Sequence, residues 1–497
     1  MNASKKNITV VLIALYRFQN FPIRIMHALL ERMEGVSVHT IFFQNFNTNA
    51  VRHPSQKEEE LFKKQIIKLN PDIVGLSVYS PFESTAKRLT KIIKDHSSAL
   101  TVWGGIHPTL YPENCIKEVD LLCVGEGEGA LADLVRAIRD NKDYRHIDNL
   151  WTKTDDGVIR NPMRQLIQDL DALPFPAYGR NAFYFIASGK ITTTDPNLSD
   201  SILNVMPARG CPFACSYCVN SLLRPMYKHL GPYVRRRSVQ NVIHEIKGML
   251  AVFENKKKII EFHDENFGTD DAWLAEFETL YVSEIGLPFK VQYNPTIIKS
   301  GTIGRLVKTG LHRIKFGIEA GADAIRNQIF NRPGKNSDFL NLIHQITDYN
   351  VKIRYDLIAD NPYDTVESLR ETIDLLLKLP KPLRFNLYSL QYFPGYTLTE
   401  RAIKDGFVKR EDTTIDRLEK KMARNWAFVP KLFPFTTKQI LQNIIWLYVY
   451  GRTSDKTVRR AALVDSFRSK LNLIGLNGKA VFYGKIHNVK RRFKDSG

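Results

Sequence analysis

The stretch Arg209-Gly210-Cys211-Pro212-Phe213-Ala214-Cys215-Ser216-Tyr217-Cys218 holds three of the chain's five cysteines. It follows an apolar run at 203–206, so it reads as the loop leaving a buried strand. Three thiolates on one short loop can wrap one face of an iron–sulfur cube, binding three irons and leaving the fourth open to a ligand. A structural zinc site completed by His229 is the alternative, although such sites more often present two short-spaced pairs. Five cysteines in 497 residues do not make a disulfide framework, and this spacing suits a reducing compartment.

Downstream of this loop, apolar runs at 259–263, 289–293, 314–317, 353–357 and 385–390 alternate with amphipathic helical patterns. That rhythm predicts a second parallel α/β domain over 188–410, a full or partial (β/α) barrel. Upstream, strand-like runs at 9–15, 36–43, 72–78, 100–103 and 121–124 alternate with helical spacing at 23–33, 58–69 and 84–95. Such repeated units predict a doubly wound, Rossmann-like domain over 1–168, whose ligands sit in the crevice beyond the strand ends. Residues 169–187 break the rhythm with two prolines and many aromatics and read as a linker. From 411 onward strand patterns fade, and the chain reads as basic and mostly helical.

Residues 421–497 carry sixteen Lys/Arg against three Asp/Glu, so most of the net charge of +19 belongs to the tail. No apolar run approaches the roughly 20 residues of a membrane-spanning helix. The apolar start lacks a small-residue cleavage site and reads as a buried first strand. A cytoplasmic location is expected, with peripheral contact to the inner face of a membrane as one reading of the tail.

The Cys-x-x-x-Cys-x-x-Cys spacing with Tyr217 before the last cysteine resembles the signature of radical S-adenosylmethionine (SAM) enzymes. The resemblance implies a [4Fe–4S] cluster on Cys211, Cys215 and Cys218, with the free iron chelating the amino and carboxylate groups of SAM. Cleavage of the sulfonium bond would then give a 5′-deoxyadenosyl radical that abstracts hydrogen. Phe213 and Tyr217 would lie near SAM. Ile260-Glu261-Phe262-His263-Asp264-Glu265-Asn266-Phe267 looks like the family's second strand, making Asp264 or Glu265 the contact to the SAM amino group. Lys315-Phe316-Gly317-Ile318-Glu319-Ala320-Gly321 looks like its fourth, with Glu319 facing the ribose or substrate. Acidic residues at strand ends also serve as helix caps, so both roles have a plainer counterpart. At Asp360-Asn361-Pro362-Tyr363-Asp364-Thr365 the family more often has Gly-x-Pro-x-Glu-Thr. Here Asn361 is taken to replace the glycine by tolerating positive φ, and Asp364 replaces the glutamate.

Gly104-Gly105-Ile106-His107, then Gly125-Glu126-Gly127, resemble the cobalamin-binding domain that precedes the barrel in one large radical SAM subgroup. Ser77, Tyr79 and Ser80 fit that domain's neighbouring strand end. Glycines there would let backbone amides approach a large amide-rimmed ligand. The histidine motif of many such domains is missing, because Leu15-Tyr16-Arg17-Phe18-Gln19 stands in its place. Cobalamin is therefore expected without a histidine lower ligand, with His27 a packing or surface residue and Cys115 and Cys123 buried structural thiols.

The resemblance implies a cobalamin-dependent radical SAM methyltransferase acting at an unactivated carbon through methylcobalamin. The same architecture performing a cyclisation or ring rearrangement is the first rival. An RNA-modifying or nucleic-acid-binding protein is the second, disfavoured because the tail's basic residues are interleaved with apolar runs. Expected partners are a small-molecule or lipid-like substrate, an electron donor such as flavodoxin or ferredoxin, and an anionic membrane surface.

Overall fold

The computed structural model describes residues 6–45, 52–253, 257–299, 301–424, 430 and 436–462. They fall into two compact units. The first takes its described residues from Met1–Phe46, Val51–Leu203 and Pro225–Lys257, the second mainly from Asn204–Arg224 and Lys258–Gly497.

The first unit opens with β1 (Ile8–Leu15), α1 (Phe21–Glu31), β2 (Val36–Phe43), α2 (Gln56–Leu69), β3 (Ile73–Ser77) and α3 (Glu83–His96). It continues through β4 (Leu100–Gly104), α4 (Ile106–Leu110), α5 (Pro112–Cys115), β5 (Leu121–Cys123) and α6 (Glu128–Arg139). Two hairpins follow, β6 (Leu150–Thr154) with β7 (Gly157–Arg160), and β8 (Phe183–Ala187) with β9 (Lys190–Thr192). The nine-stranded order is β7-β6-β5-β4-β3-β1-β2-β8-β9. From β5 across to β8 the neighbours are parallel, and their apolar runs are buried on both faces as such sheets require. The chain leaves β1 for β2 on one side and β3 on the other, so a crevice opens beyond the C-terminal ends of β1 and β3.

Residues 183–187, read from sequence as linker, instead form β8, paired in parallel register with β2 from Thr40↔Phe183 to Phe43↔Ile186. A buried arginine anchors the stretch before it. Arg24 donates to the Ala177 carbonyl at 2.8 Å and twice to the Phe18 carbonyl, and it forms a bidentate pair with Asp195 at 2.5 and 2.8 Å. Both charged side chains are fully buried.

The second unit is built on β10 (Ile202–Val205), which continues to β11 (Ala208–Arg209) and the cysteine loop. Then come α7 (Asn220–Met226), β12 (Arg235–Arg236) and α8 (Val239–Val252), the last two within the first unit. The barrel proceeds through β13 (Ile259–Phe262), α9 (Asp271–Glu284), β14 (Phe289–Tyr293), α10 (Thr302–Thr309), β15 (Leu311–Glu319) and α11 (Asn336–Thr347). It ends with β16 (Lys352–Ile358), α12 (Val366–Lys378) and β17 (Phe385–Tyr388). The six-stranded order β10-β13-β14-β15-β16-β17 is an open, partial barrel. Along β15, Ile314, Phe316 and Ile318 are buried, Phe316 lying 5.9 Å from Phe339 of α11, while Arg313, Lys315, Gly317 and Glu319 face the other way.

Four further helices follow, α13 (Thr397–Lys404), α14 (Ile415–Arg424), α15 (Thr437–Val449) and α16 (Asp455–Ala462). Among the described residues no helix is long and apolar enough to cross a membrane. Trp426, Phe428, Phe433, Phe435 and the basic run from Lys490 to Lys494 lie outside the described residues.

Candidate functional site

The cysteine loop is held by a strap that runs from a π-helical turn at Ile325–Ile329 to Arg332. Ser216 donates its hydroxyl to the Ile329 carbonyl at 2.6 Å and its amide to the Phe330 carbonyl at 2.9 Å. Asn331 donates to the Ala214 carbonyl at 3.0 Å, and the Arg332 guanidinium reaches Cys215 Sγ at 3.6 Å. The other two sulfurs are approached in the same way, Cys211 by Asn266 Nδ2 and Cys218 by Asn220 Nδ2, both at 3.6 Å. The backbone amide of Phe213 also points at Cys211. Sequence reading missed Asn220, Asn266 and Arg332. Only Asn266 lay inside a motif.

Burial, then the nearby Glu265 and fellow cysteines, push the Cys218 thiol up to about 12 and Cys211 up to about 11, against opposing backbone N–H donors. Thiols at Cys211 and Cys218 that resist ionisation so close to one another call for a cationic partner. Among the described residues no three His, Cys, Asp or Glu side chains converge on one point to hold a single metal ion.

Tyr217 and Glu319 meet beside this loop. Glu319 hydrogen-bonds Tyr217, follows a register shift in the β15–β16 ladder, and takes φ 66°, a strained backbone for a non-glycine residue. Burial pushes its carboxyl up to about 7 against the pull of Arg332. Arg332 is itself fixed by two hydrogen bonds to the Gly317 carbonyl, at 2.8 and 3.1 Å. Any side chain at Gly317 would come within 2.5 Å of Glu319 and 2.8 Å of Arg332.

The two acids on the β13 loop part company. Asp264 is buried and accepts from the Ala208 amide at 2.8 Å, securing the chain just before the cysteines. Glu265 is exposed, and desolvation by the surrounding protein raises its carboxyl while Lys315 and Arg332 pull it down. Residue-by-residue alignment of the later motif puts Asp360, not Asn361, at the glycine position. Asn361 has no positive φ; its Oδ1 accepts from the Tyr363 amide at 3.2 Å, while Asp360 accepts from the Leu390 amide at 2.6 Å.

In the first unit the glycine-bearing strand ends gather at the crevice. Gly105 has φ 100°, and a Cβ there would lie 3.0 Å from the Val78 carbonyl and 3.5 Å from Ser77 Oγ. Gly125 has φ 96°, and its amide donates to Thr109 Oγ1 at 3.0 Å. At Gly127 a Cβ would meet Met26 Cε at 2.7 Å. This cradle of bare backbone, with Gly104 and the half-buried Ile106 beside it, fits a large flat ligand.

Several side chains named from sequence serve the unit itself. His107 is buried, 3.1 Å from Ser80 Oγ and 3.6 Å from Glu83. Ser77 accepts from Asn20 Nδ2 at 3.2 Å. Glu126 pairs with Arg235 at 2.9 Å and accepts from the Ile167 amide at 2.8 Å. Tyr79 remains half-buried at the rim, 5.5 Å from the Arg17 guanidinium. In place of the missing histidine motif, Tyr16 turns inward at φ 58° and donates its hydroxyl to the Arg52 carbonyl at 2.7 Å. His27 is a packing residue: it is buried, stacked 4.5 Å from Phe183, and lowered to about 4 by burial. Cys115 and Cys123 are buried thiols pushed up to about 12 by that burial.

The family model for the B12 binding domain matches residues 8–135, and that for the radical SAM superfamily matches residues 205–376. The chain belongs to the cobalamin-binding radical SAM enzymes. Its cofactors are a [4Fe–4S] cluster, SAM and cobalamin. An uncharacterized methyltransferase, PH0819, of Pyrococcus horikoshii is 28% identical over 405 residues, covering 78% of this radical SAM enzyme and 80% of the relative. The anaerobic magnesium-protoporphyrin IX monomethyl ester cyclase of Rubrivivax gelatinosus is 26% identical over 337 residues, covering 63% of the enzyme and 55% of the cyclase. The solved structure of OxsB, a cobalamin-dependent SAM radical enzyme, with aqua-cobalamin and SAM bound, aligns at TM-score 0.66 and 17% identity. That alignment covers 98% of this chain and 72% of OxsB, and it shows a common fold.

Proposed function

We propose that this enzyme is a methyltransferase that places a methyl group on an unactivated carbon of a small molecule. The observation that carries the reading is the set of three spaced, N–H-contacted thiols beside the Tyr217–Glu319 pair, in a chain that also carries a glycine-lined crevice. In support, the relative aligned over both domains and along most of its length is named a methyltransferase, whereas the chain spans about half of the cyclase. When bound, the cluster supplies the electron that cleaves SAM, and cobalamin carries the methyl group.

The chain's own residues take these parts. Cys211, Cys215 and Cys218 ligate three irons, while Asn266, Arg332 and Asn220 direct N–H groups at their sulfurs. Tyr217 and Glu319 orient SAM, with Phe213 at the loop's edge. Glu265 is the acid that contacts the SAM amino group, and Asp264 keeps the loop entry in place. In the crevice, Gly104, Gly105, Gly125 and Gly127 admit the cobalamin face to the backbone, with Tyr79 at the rim. Ser77, Ser80, His107 and Glu126 hold those loops in shape.

Product analysis with SAM in excess tests the reading. Methyl transfer yields S-adenosylhomocysteine together with 5′-deoxyadenosine; a cyclisation yields 5′-deoxyadenosine alone and would refute it. Reducing equivalents come from a flavodoxin- or ferredoxin-like donor in this reading, and the basic C-terminal region gives loose attachment to an anionic membrane.

A further inference from the structure

The inner face of the barrel strands is unbalanced in charge at its N-terminal end. Strand register sets Lys290 beside Arg313, Arg313 beside Lys352, and Lys315 beside Arg354. Arg384 follows on the entry to β17, its carbonyl accepting from the Tyr355 amide at 2.9 Å. The carboxylates here are already engaged. Glu261 pairs with Lys290 at 3.0 Å, and Asp356 faces Lys315 at 3.6 Å while accepting from Asn386 Nδ2 at 2.7 Å. Asp455 is held by Lys381 and Tyr448.

Among the described residues, Arg313 and Arg384 make no ion pair and no side-chain hydrogen bond. Arg354 donates to Asn386 Oδ1 at 3.2 Å, yet its Nε is buried without a partner. After burial, the guanidiniums of Arg354 and Arg384 press Arg313 below its ordinary value, and Glu261 opposes them. Clustered, partly desolvated cations are costly unless an anion completes them. Against them opens a cavity of about 540 Å³ lined by Arg354, Leu383, Arg384, Phe385, Tyr448 and Tyr450. Lys381 and Thr453 also line it, but Lys381 is already paired with Asp455, so the guanidinium end is left without a carboxylate beside a largely aromatic and aliphatic wall, the two-part lining of a small-molecule site.

We propose that this cavity binds a small aromatic oxyanion, its phosphate or carboxylate held between Arg354 and Arg384 and its flat body against Tyr448 and Tyr450. The site stands at the opposite end of the strands from the cysteine loop. Glu319 pairs with Leu357, three positions beyond Arg354, or about 10 Å along the strand, and Asp356 and Asn386 occupy the interval. The ligand is therefore a second small molecule, distinct from the one that reacts, and the proposal does not depend on the methyltransferase reading.

Titration calorimetry of full-length, cluster-loaded enzyme with phenyl phosphate or benzoate should reveal one saturable site per chain. Inorganic phosphate should bind about tenfold more weakly, since it leaves the aromatic lining unused. Arg354→Gln and Arg384→Gln should each weaken phenyl phosphate by about tenfold or more. Their ligand-free melting midpoints should match or exceed the parent's, because each change relieves repulsion between guanidiniums. Titration without saturation, equal affinity in parent and variants, or competition with SAM would overturn the proposal. Equal affinity for inorganic phosphate would overturn the aromatic assignment. Lowered midpoints in both variants with unchanged affinity would mark the arginines as structural.

Discussion

Cys211, Cys215 and Cys218 sit where each sulfur has its own N–H donor, whereas Cys115 and Cys123 lie in the apolar body of the first unit. Alanine at any of the first three should therefore abolish iron loading, measured as about four irons per anaerobically reconstituted chain. Alanine at Cys115 or Cys123 should leave the iron content unchanged. The cysteine positions were legible because spacing alone brings three thiols together. Arg332 was not, because the contact depends on a π-helical turn that no local pattern announces. A second residue-scale test concerns pH. Burial raises the Asp364 carboxyl from 3.8 to about 7, while Ser368 and Lys438 hold it down. The folded state thus binds this proton more tightly than the unfolded chain, so the group favours folding most below pH 4 and loses that contribution as pH rises to 7. Asp364→Asn should remove roughly 2–4 kcal/mol of this decline. Chemical denaturation at pH 5 and pH 8 should give a smaller difference for the variant than for the parent; an equal difference would contradict the assignment.

At the scale of elements, the crevice of the first unit rests on two glycines of different kinds. Gly105 combines φ 100° with backbone 3.0 Å from any added Cβ, and backbone cannot step aside. Gly127 would meet a methionine tip, which can. Gly105→Ala should cost roughly 1–3 kcal/mol and weaken cobalamin binding, while Gly127→Ala should change stability far less. Thermal melts and cobalamin absorbance titrations of both variants make the comparison. The inward turn of Tyr16 carries a further expectation for this unit. Electron paramagnetic resonance of the Co(II) form should lack protein nitrogen splitting, and His27→Ala should not alter it. The strands lining the crevice were readable from unbroken apolar runs. β8 was not, because Phe183–Ala187 follows two prolines and earns its place in the sheet only by pairing with β2, a contact 143 residues distant at Thr40↔Phe183.

For the whole molecule, the surplus of positive charge in 421–497 gives the prediction with the widest reach. Each basic residue near anionic headgroups adds about 1 kcal/mol, so full-length enzyme should sediment with anionic liposomes at low salt and be released at high salt. Changing Lys490, Arg491, Arg492 and Lys494 to alanine should weaken binding, and equal binding to neutral liposomes would rule out electrostatic attachment. The order of domains was readable because each has its own periodic pattern, but the extent of the first unit was not. Its buried Arg24–Asp195 pair makes residues beyond the linker part of it, and Asp195→Ala should destabilise it by roughly 3–5 kcal/mol.

That unit also takes in residues 225–257, with α8 and the Arg235 partner of Glu126. A ribosome making this chain releases the cysteine loop before the segment that completes the first unit. The partner strap at 325–332 comes later still. During synthesis, then, the three thiols emerge ahead of Asn220, Asn266 and Arg332, the side chains that will contact them. Cluster insertion has to wait for a chain finished past Arg332, and a gene fragment cut at the apparent boundary near 203 would encode a first unit lacking a helix.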